Sequence, residues 1–354
     1  MLDKELSRKI LTVGCFCNKP TGGISQVLHT YSQVVFEPFK FVATTAKGGK
    51  MAKLAVLVAG LMKFVLMLIF DRKIKIVHIH TASNNSFKRK SIFVSLAKTF
   101  GKRVVLHVHS GAFLDYFNHN QDFVKSVLAK CDTVVALSDY WQKVLTERCG
   151  ARRVDVIDNI IVPPCRDRVA KRRADGKIHF LFLGLYKKEK GIFDLLDVAA
   201  AAHDALAGKC VLHVGCDKGD EIEQRIADAG IGDVVAYEGW VRGPEKERLL
   251  AQCDVYVLPS YFEGVPISIL ECMSHGMAIL ATNVGGIPSV VTQEKNGLLC
   301  DAGNKQQLCD AIMRFVEDAP LVDRMGKASL EMVTRYYPEN VAAELKRLYE
   351  SLLV

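Results

Sequence analysis

The sequence predicts an α/β chain of two lobes, each a parallel sheet covered by helices on both faces, and three observations carry that expectation. Short β-branched apolar runs alternate with longer helix-like segments along the chain. A length of 354 residues exceeds one ordinary core and suits two domains of roughly 100 to 200 residues each. The alternation is broken by the polar, basic, proline-containing stretch PPCRDRVAKRRADGK at 163–177, which reads as a linker. The expected division is a first domain at 1–165, a linker at 166–177, a second domain at 178–334, and a C-terminal helix at 335–354 free to cross back to the first domain. A ligand cleft between the lobes is expected.

In order, the candidate strands of the first lobe are ILTVGCF (10–16), IKIVHIH (74–80), RVVLHVH (103–109) and TVVALS (133–138). Those of the second are IHFLFLG (178–184), KCVLHVG (209–215), VVAYEG (234–239), DVYVLPS (254–260) and AILATN (278–283). Their near-continuous apolar character marks strands buried on both faces, the habit of parallel sheets. Helix-like segments such as FDLLDVAAAAHDAL follow most of them, and ENVAAELKRLYESLLV closes the chain. In open parallel sheets ligands gather beyond the carboxyl ends of the strands. Chemistry is therefore expected in the loops after His80, His109, Ser138, Gly184, Gly239 and Ser260.

Hydrophobic residues make up 49% and charged residues 24%, a balance that excludes disorder or a coiled coil as the main state. The eleven cysteines are scattered, without a repeated C-x-x-C pair or a histidine cluster at ligand spacing along the chain, so no metal site is expected. With polar residues at 1–9 and no signal-peptide pattern, the expected location is a reducing cytoplasm. Net charge is +8, unevenly placed: residues 1–170 carry 26 Lys+Arg against 12 Asp+Glu, and residues 171–354 carry 21 against 27. The basic half should face something anionic. No interleaved aromatics or nucleic-acid-binding motif accompany it, so a membrane surface is expected rather than a nucleic acid.

Residues 54–70, LAVLVAGLMKFVLMLIF, form the most apolar window. Seventeen residues are short for a bilayer span, and Lys63 falls in the middle, where a charge costs about 2.5 to 3.5 kcal/mol. A transmembrane helix is therefore not expected. A buried core helix and an interfacial helix both remain open, the latter favoured by the flanking Lys47, Lys50, Lys53, Arg72, Lys73 and Lys75.

Three motifs fall at strand ends. KPTGGIS (19–25) follows the first strand and opens a helix, so N–H groups around Gly22 and Gly23 can receive a phosphate, though paired glycines also make plain turns. GLYKKEKG (184–191) crowds Lys187, Lys188 and Lys190 before a helix, which suits a diphosphate as well as an ordinary exposed basic loop. PSYFEGVPISILECMSHGMAILATNVGGIPSVV (259–291) holds only two acids, Glu263 and Glu271. Two helical turns would separate them by roughly 12 Å, too far for paired-carboxylate hydrolysis at about 5 to 9.5 Å. That separation suits two ends of one extended ligand, Glu271 taking ribose hydroxyls and Glu263 a sugar.

In EGVPISILE the acids stand as Glu-x7-Glu, followed by GMAILATNVGGIP and preceded by GLYKKEKG, EGWVRGPEKERLL and CDVYVLPS. This order resembles the retaining nucleotide-sugar glycosyltransferases of family 4, over nearly the whole chain and most strongly at 180–300. TASNNSFKRKSIF (81–93) resembles in particular the branch that builds bacterial capsule, exopolysaccharide and O-antigen. The resemblance implies a GT-B fold: two Rossmann-like domains facing each other across a cleft, the first binding acceptor and the second binding nucleotide-sugar. It implies that Glu271 binds the ribose and Glu263 the transferred sugar, with the backbone at Val265, Ile267 and Ser268 near sugar and phosphate. Lys190 would pair with the leaving diphosphate beside Gly184, with Lys187 or Lys188 replacing the arginine that relatives carry where this chain has Leu185. Gly22 and Gly23 would approach the same phosphates, His109 would contact the donor sugar, and residues 239–242, Val241 among them, would frame the base. His107, read as pointing to the other side of its strand, is expected to pack in the core. Many relatives carry a carboxylate where Ser289 stands here, a difference of little consequence.

The implied reaction moves a hexose or N-acetylhexosamine to a saccharide acceptor, lipid-linked, at the inner face of the cytoplasmic membrane. A UDP-sugar is expected ahead of a GDP-sugar as co-substrate, with no bound cofactor. No D-x-D triplet is present to hold a metal, so activity is expected to survive chelation. Two other readings stay open: a sugar-nucleotide epimerase on the same fold, which would act on donor alone, and a non-catalytic nucleotide-binding protein.

Overall fold

The computed structural model describes residues 1–16, 22–46, 48–164 and 175–354. Lys19 to Thr21 of the first glycine motif, Lys47, and 166–174 of the expected linker lie outside the described residues. The chain forms two units, one of Met1–Val162 with Arg335–Val354 and one of Pro163–Thr334.

The first unit is built on β1 (Ile10–Gly14), β2 (Phe41–Ala43), β3 (Ile76–Thr81), β4 (Arg103–Val108), β5 (Thr133–Ala136) and β6 (Val154–Val156), all parallel, in the order β2-β1-β3-β4-β5-β6. Every residue of β1, β3 and β5 is buried, as helices on both faces require. The order reverses between β1 and β3, because β1 hands the chain to β2 on one side and receives β3 on the other. Such a reversal opens a crevice beyond the strand ends.

The second unit repeats the plan with β7 (Ile178–Leu183), β8 (Cys210–Gly215), β9 (Val235–Gly239), β10 (Val255–Leu258), β11 (Ala278–Thr282) and β12 (Gly297–Cys300), in the parallel order β12-β11-β10-β7-β8-β9. Its reversal lies between β7 and β10. Each of the nine expected strands is present. Among the described residues three strands are unexpected, β2, β6 and β12, all sheet edges of three or four residues.

Two expectations need correction. His107 and His109 stand two apart on one strand segment, and a strand's side chains repeat every second residue, so they share a face. Their rings stack with centroids 4.1 Å apart. The apolar window is neither plain core nor short: the helix runs Lys50–Phe70 and is long and apolar enough to cross a membrane by length and composition, with 17% of its most apolar window buried. Gly60, Phe64 and Leu68 face inward; Phe64 meets Phe93 edge-on at 5.1 Å. A Cβ at Gly60 would stand 2.3 Å from the Ala43 carbonyl oxygen, so this face is locked onto β2. The opposite face exposes Leu54, Val58, Met62, Leu66, Ile69 and Phe70.

The last helix, Pro338–Leu353, belongs to the first unit, where the Tyr349 hydroxyl meets His78 Nδ1 at 2.7 Å and Arg153 donates to Ser351 Oγ at 2.9 Å.

Candidate active site

The second unit's reversal crevice is assembled by close backbone packing. Gly191, at φ +71°, ends the basic loop after β7, and a Cβ there would stand 1.9 Å from the Pro259 carbonyl oxygen in the loop after β10. Only glycine tolerates both the left-handed conformation and that approach. A Cβ on Gly285, at φ +54°, would likewise collide with the Glu263 carbonyl oxygen at 1.9 Å, so the paired glycines of GGIP exist to seat the EGVP turn.

The two loops meet through charge. Lys190 Nζ donates to Glu263 Oε1 at 2.6 Å, and Ser260 Oγ donates to the same oxygen at 2.9 Å. The Glu263 side chain is 11% exposed and that of Lys190 32%, so the carboxylate is substantially desolvated and depends on these two donors. Lys187 and Lys188 are exposed beside the pair, with no carboxylate partner among the described residues. Leu185 is also exposed, on the same loop.

Beyond the EGVP turn the helix spans Ile267–Ser274, so only about one turn, not two, lies between the first helical residue and Glu271. Val265 is buried, and Ser268 Oγ accepts from the Tyr256 hydroxyl at 2.8 Å, fixing the first turn to β10. Glu271 is held by Lys246 at 2.7 Å, from the helix Pro244–Gln252. At the end of β9, Gly239 takes φ +73°, and Arg242 lies over the exposed Trp240 ring at 5.3 Å. Val241 lies beside Gly215 at the end of β8, since a Cβ there would come 2.9 Å from its Cγ2. Gly184 donates to the Gly215 carbonyl at 3.1 Å. All ten expected site residues of the second half thus lie beyond the strand ends of one sheet.

Gly22, Gly23 and His109 lie in the first unit. Gly22 precedes the helix Gly23–Val34 in extended backbone, and a Cβ on it would meet nothing within 4 Å. Its N–H, expected to be open to phosphate, already donates to Ser25 Oγ at 3.1 Å. His109 is one of four imidazoles: register places His80 beside His107, and His80 Nδ1 lies 2.9 Å from His109 Nε2. Burial holds His78 and His109 down to about 3 and lowers His80 and His107, so the stack is neutral at physiological pH. Ring nitrogens of His78, His80 and His107 lie within 4.8 Å of one another, a cluster that spacing along the chain does not reveal because two strands supply it. His78 and His107 are within 3° of parallel, and lone pairs lie in the ring planes.

The model of the family Glycosyl transferases group 1 matches residues 166–332, and that of Glycosyltransferase Family 4 matches 15–163. The chain belongs to the family 4 glycosyltransferases. A phosphatidyl-myo-inositol mannosyltransferase of Mycobacterium leprae is 28% identical over 222 residues, 62% of this chain and 59% of that protein. An amylovoran biosynthesis glycosyltransferase of Erwinia amylovora is 24% identical over 66% of this chain and 60% of its own length. The chain therefore spans about three fifths of these curated relatives. Sucrose-phosphate synthase from Thermosynechococcus elongatus superposes with a TM-score of 0.78 at 18% identity, covering 98% of this chain and 99% of that one. HepE from Anabaena, in complex with UDP, gives 0.74 at 17% identity, covering 97% and 100%. Both show the fold, GT-B, that the sequence predicts.

Three residues that fix this crevice were not foreseen: Lys246, Ser260 and Tyr256. Lys246 reaches Glu271 from another helix and Tyr256 reaches Ser268 from β10, contacts no local pattern announces, while Ser260 meets Glu263 three residues away in one loop. A concavity of about 500 Å³ between the helices Ile192–Ala201 and Gly219–Ala229 lies elsewhere on the unit. Its Arg225 is already paired with Asp197 at 2.5 Å, which leaves little to recognise a ligand.

Proposed function

We propose that the chain is a retaining glycosyltransferase that moves a hexose or N-acetylhexosamine from a nucleotide-sugar, a UDP-sugar first, to a lipid-linked saccharide during cell-surface polysaccharide synthesis. The observation that carries this reading is the Lys190–Glu263 pair at the reversal crevice, a cation and a carboxylate side by side, with Glu271 about one turn into the helix that follows. HepE binds UDP and the Erwinia relative acts in amylovoran biosynthesis, which supports the donor class and the pathway class.

In this reading Glu271 accepts from the ribose hydroxyls and Glu263 from the sugar. Lys190, freed in part from Glu263, turns to the diphosphate. Lys187 and Lys188 add charge where Leu185 offers none. As the anomeric bond to the diphosphate oxygen breaks, negative charge grows on that oxygen, and positioned cations and N–H donors stabilise it more than they stabilise the intact donor. The acceptor hydroxyl attacks on the face the diphosphate leaves, and its proton passes to the departing phosphate oxygen. In the first unit, His109 is proposed to offer a saccharide a neutral imidazole.

The exposed face of the helix Lys50–Phe70 is proposed to lie in the plane of an anionic membrane on the cytoplasmic side. Lys63 sits at the edge of that face, and Lys50, Lys53, Arg72, Lys73 and Lys75 flank it, all exposed. Packing of Gly60, Phe64 and Leu68 into the core favours lying on the surface over crossing it.

The test is transfer of labelled sugar from UDP-hexose to a polyprenyl-diphosphate-linked saccharide, with the product anomer read by NMR. Retained configuration is expected, with turnover lost in Glu263→Gln while UDP binding persists. An inverted product, or full activity in Glu263→Gln, would remove the reading.

A further inference from the structure

We propose that the first unit carries a phosphoryl-oxyanion site of its own, centred on Lys90 and Arg89 beyond the ends of β1 and β3, that holds a diphosphate; this rests on the glycosyltransferase reading only for naming the acceptor's diphosphate as its source. Lys90 lies on the helix Asn85–Thr99 and is 2% exposed. Its ammonium has one hydrogen-bond acceptor, Ser86 Oγ at 3.2 Å, and no carboxylate partner among the described residues. Next to it, Arg89 Nε is buried without a hydrogen-bond partner among the described residues. Burying an ammonium without a counter-charge is costly, and proteins that keep such a group usually give it an anion.

Comparison of the two sheets sharpens the point. Each has its strand order reversed once, and ligands of open parallel sheets collect at that place. In the second unit the cation at the reversal, Lys190, is matched by Glu263. In the first, the cations have no such match among the described residues: beside Lys90 after β1 stands the thiol of Cys15, which burial pushes upward and keeps neutral. Lys90 is held at about 8 by burial and by Arg89, low for a lysine yet still mostly charged at pH 7. On the β4 side stands His109, itself neutral and close enough for the Lys90 charge to depress it further.

The polar lining completes an oxyanion cradle. Ser83 Oγ and Ser110 Oγ are 3.1 Å apart, joining the loops after β3 and β4, and Ser86 Oγ accepts the Ala82 N–H at 3.2 Å while facing Lys90. Two cations and three hydroxyls, with no acid among them, match the many acceptor oxygens of a diphosphate rather than the donor-rich rim of a free sugar.

Two diphosphates could occupy it, the acceptor's or the donor's, and titration calorimetry separates them with farnesyl diphosphate in detergent, UDP and inorganic pyrophosphate as probes. The variants are Lys90→Met and Arg89→Gln, with thermal unfolding as a check. Removing a buried unpaired charge should leave Lys90→Met at least as stable as the parent, whereas a structural role would lower its Tm. Farnesyl diphosphate affinity is expected to fall about 10- to 100-fold in either variant, the usual range for a lost charged hydrogen bond. UDP affinity is expected to be unchanged. A fall for UDP in place of farnesyl diphosphate would keep the site and assign it to the donor. Unchanged affinity for all three probes, or a loss of Tm in Lys90→Met that accounts for the effect, would overturn it. A parent protein that binds no UDP at all would instead sink the nucleotide-sugar reading and leave this one standing on the other two probes.

Discussion

Replacing three residues on the outward face of the helix Lys50–Phe70, Val58→Gln, Met62→Gln and Leu66→Gln together, should detach the protein from anionic vesicles without unfolding it. These side chains are 47%, 58% and 53% exposed, so each has about half its apolar surface available to lipid. Full burial of such a side chain is worth about 1.5 to 3 kcal/mol, which makes each worth about 1 kcal/mol here and the three together about 3 kcal/mol. At 1.4 kcal/mol per factor of ten, the partition coefficient should fall roughly 100-fold. The flanking Lys50, Lys53, Arg72 and Lys73 contribute about 1 kcal/mol each near an anionic leaflet, a share that about 1 M salt would screen, so salt alone should release only part of the bound protein. Co-sedimentation with vesicles containing phosphatidylglycerol measures all of this, and Tm should hold, since none of the three residues is in the core. A triple variant that pellets like the parent, or a parent that stays in the supernatant at low salt, would refute the assignment of that face to lipid.

Acid should destabilise the first unit. His78 and His109 sit at about 3 when folded against 6.5 when unfolded, so between those values the unfolded chain binds protons the folded one refuses, and stability falls as pH drops below 6.5. The loss at pH 5 is about 2 kcal/mol for each of the two, and Tm equal at pH 7.5 and pH 5 would rule out a neutral stack. Changing Lys187 and Lys188 together to Ala should weaken UDP about 10-fold, as loss of exposed charged contacts to a diphosphate implies, and Leu185→Arg should restore part of it. UDP affinity untouched by the double change would show that neither lysine replaces the missing arginine.

The fold was legible because parallel strands buried on both faces leave an unbroken apolar run, and nine such runs read directly. Phe41–Ala43, Val154–Val156 and Gly297–Cys300 were not legible: each pairs along one side only and is too short to rise above its surroundings. The site was legible where one loop carries several of its groups, as in GLYKKEKG and EGVPISILE. It was hidden where partners come from elements distant along the chain, as with Lys246 on Glu271 or Tyr256 on Ser268. In HVH strand alternation puts both imidazoles on one face, so His107 and His109 stack rather than facing opposite ways.

The lysine-glutamate contact also constrains how the second unit can work. A desolvated carboxylate with two donors is a stable resting arrangement, and in the proposed reaction a sugar diphosphate entering beside it would bring both hydroxyl donors for Glu263 and a stronger anion for Lys190. Each member of the pair can therefore exchange its partner for a ligand group of the same kind, so the cost of breaking the contact is largely offset at the moment of binding. In the proposed reaction the diphosphate, already anionic when bound, would gain further charge as the anomeric bond breaks, so Lys190 would be drawn further from Glu263 in the transition state than in the bound donor, leaving the carboxylate freest to interact with the sugar when positive charge develops there.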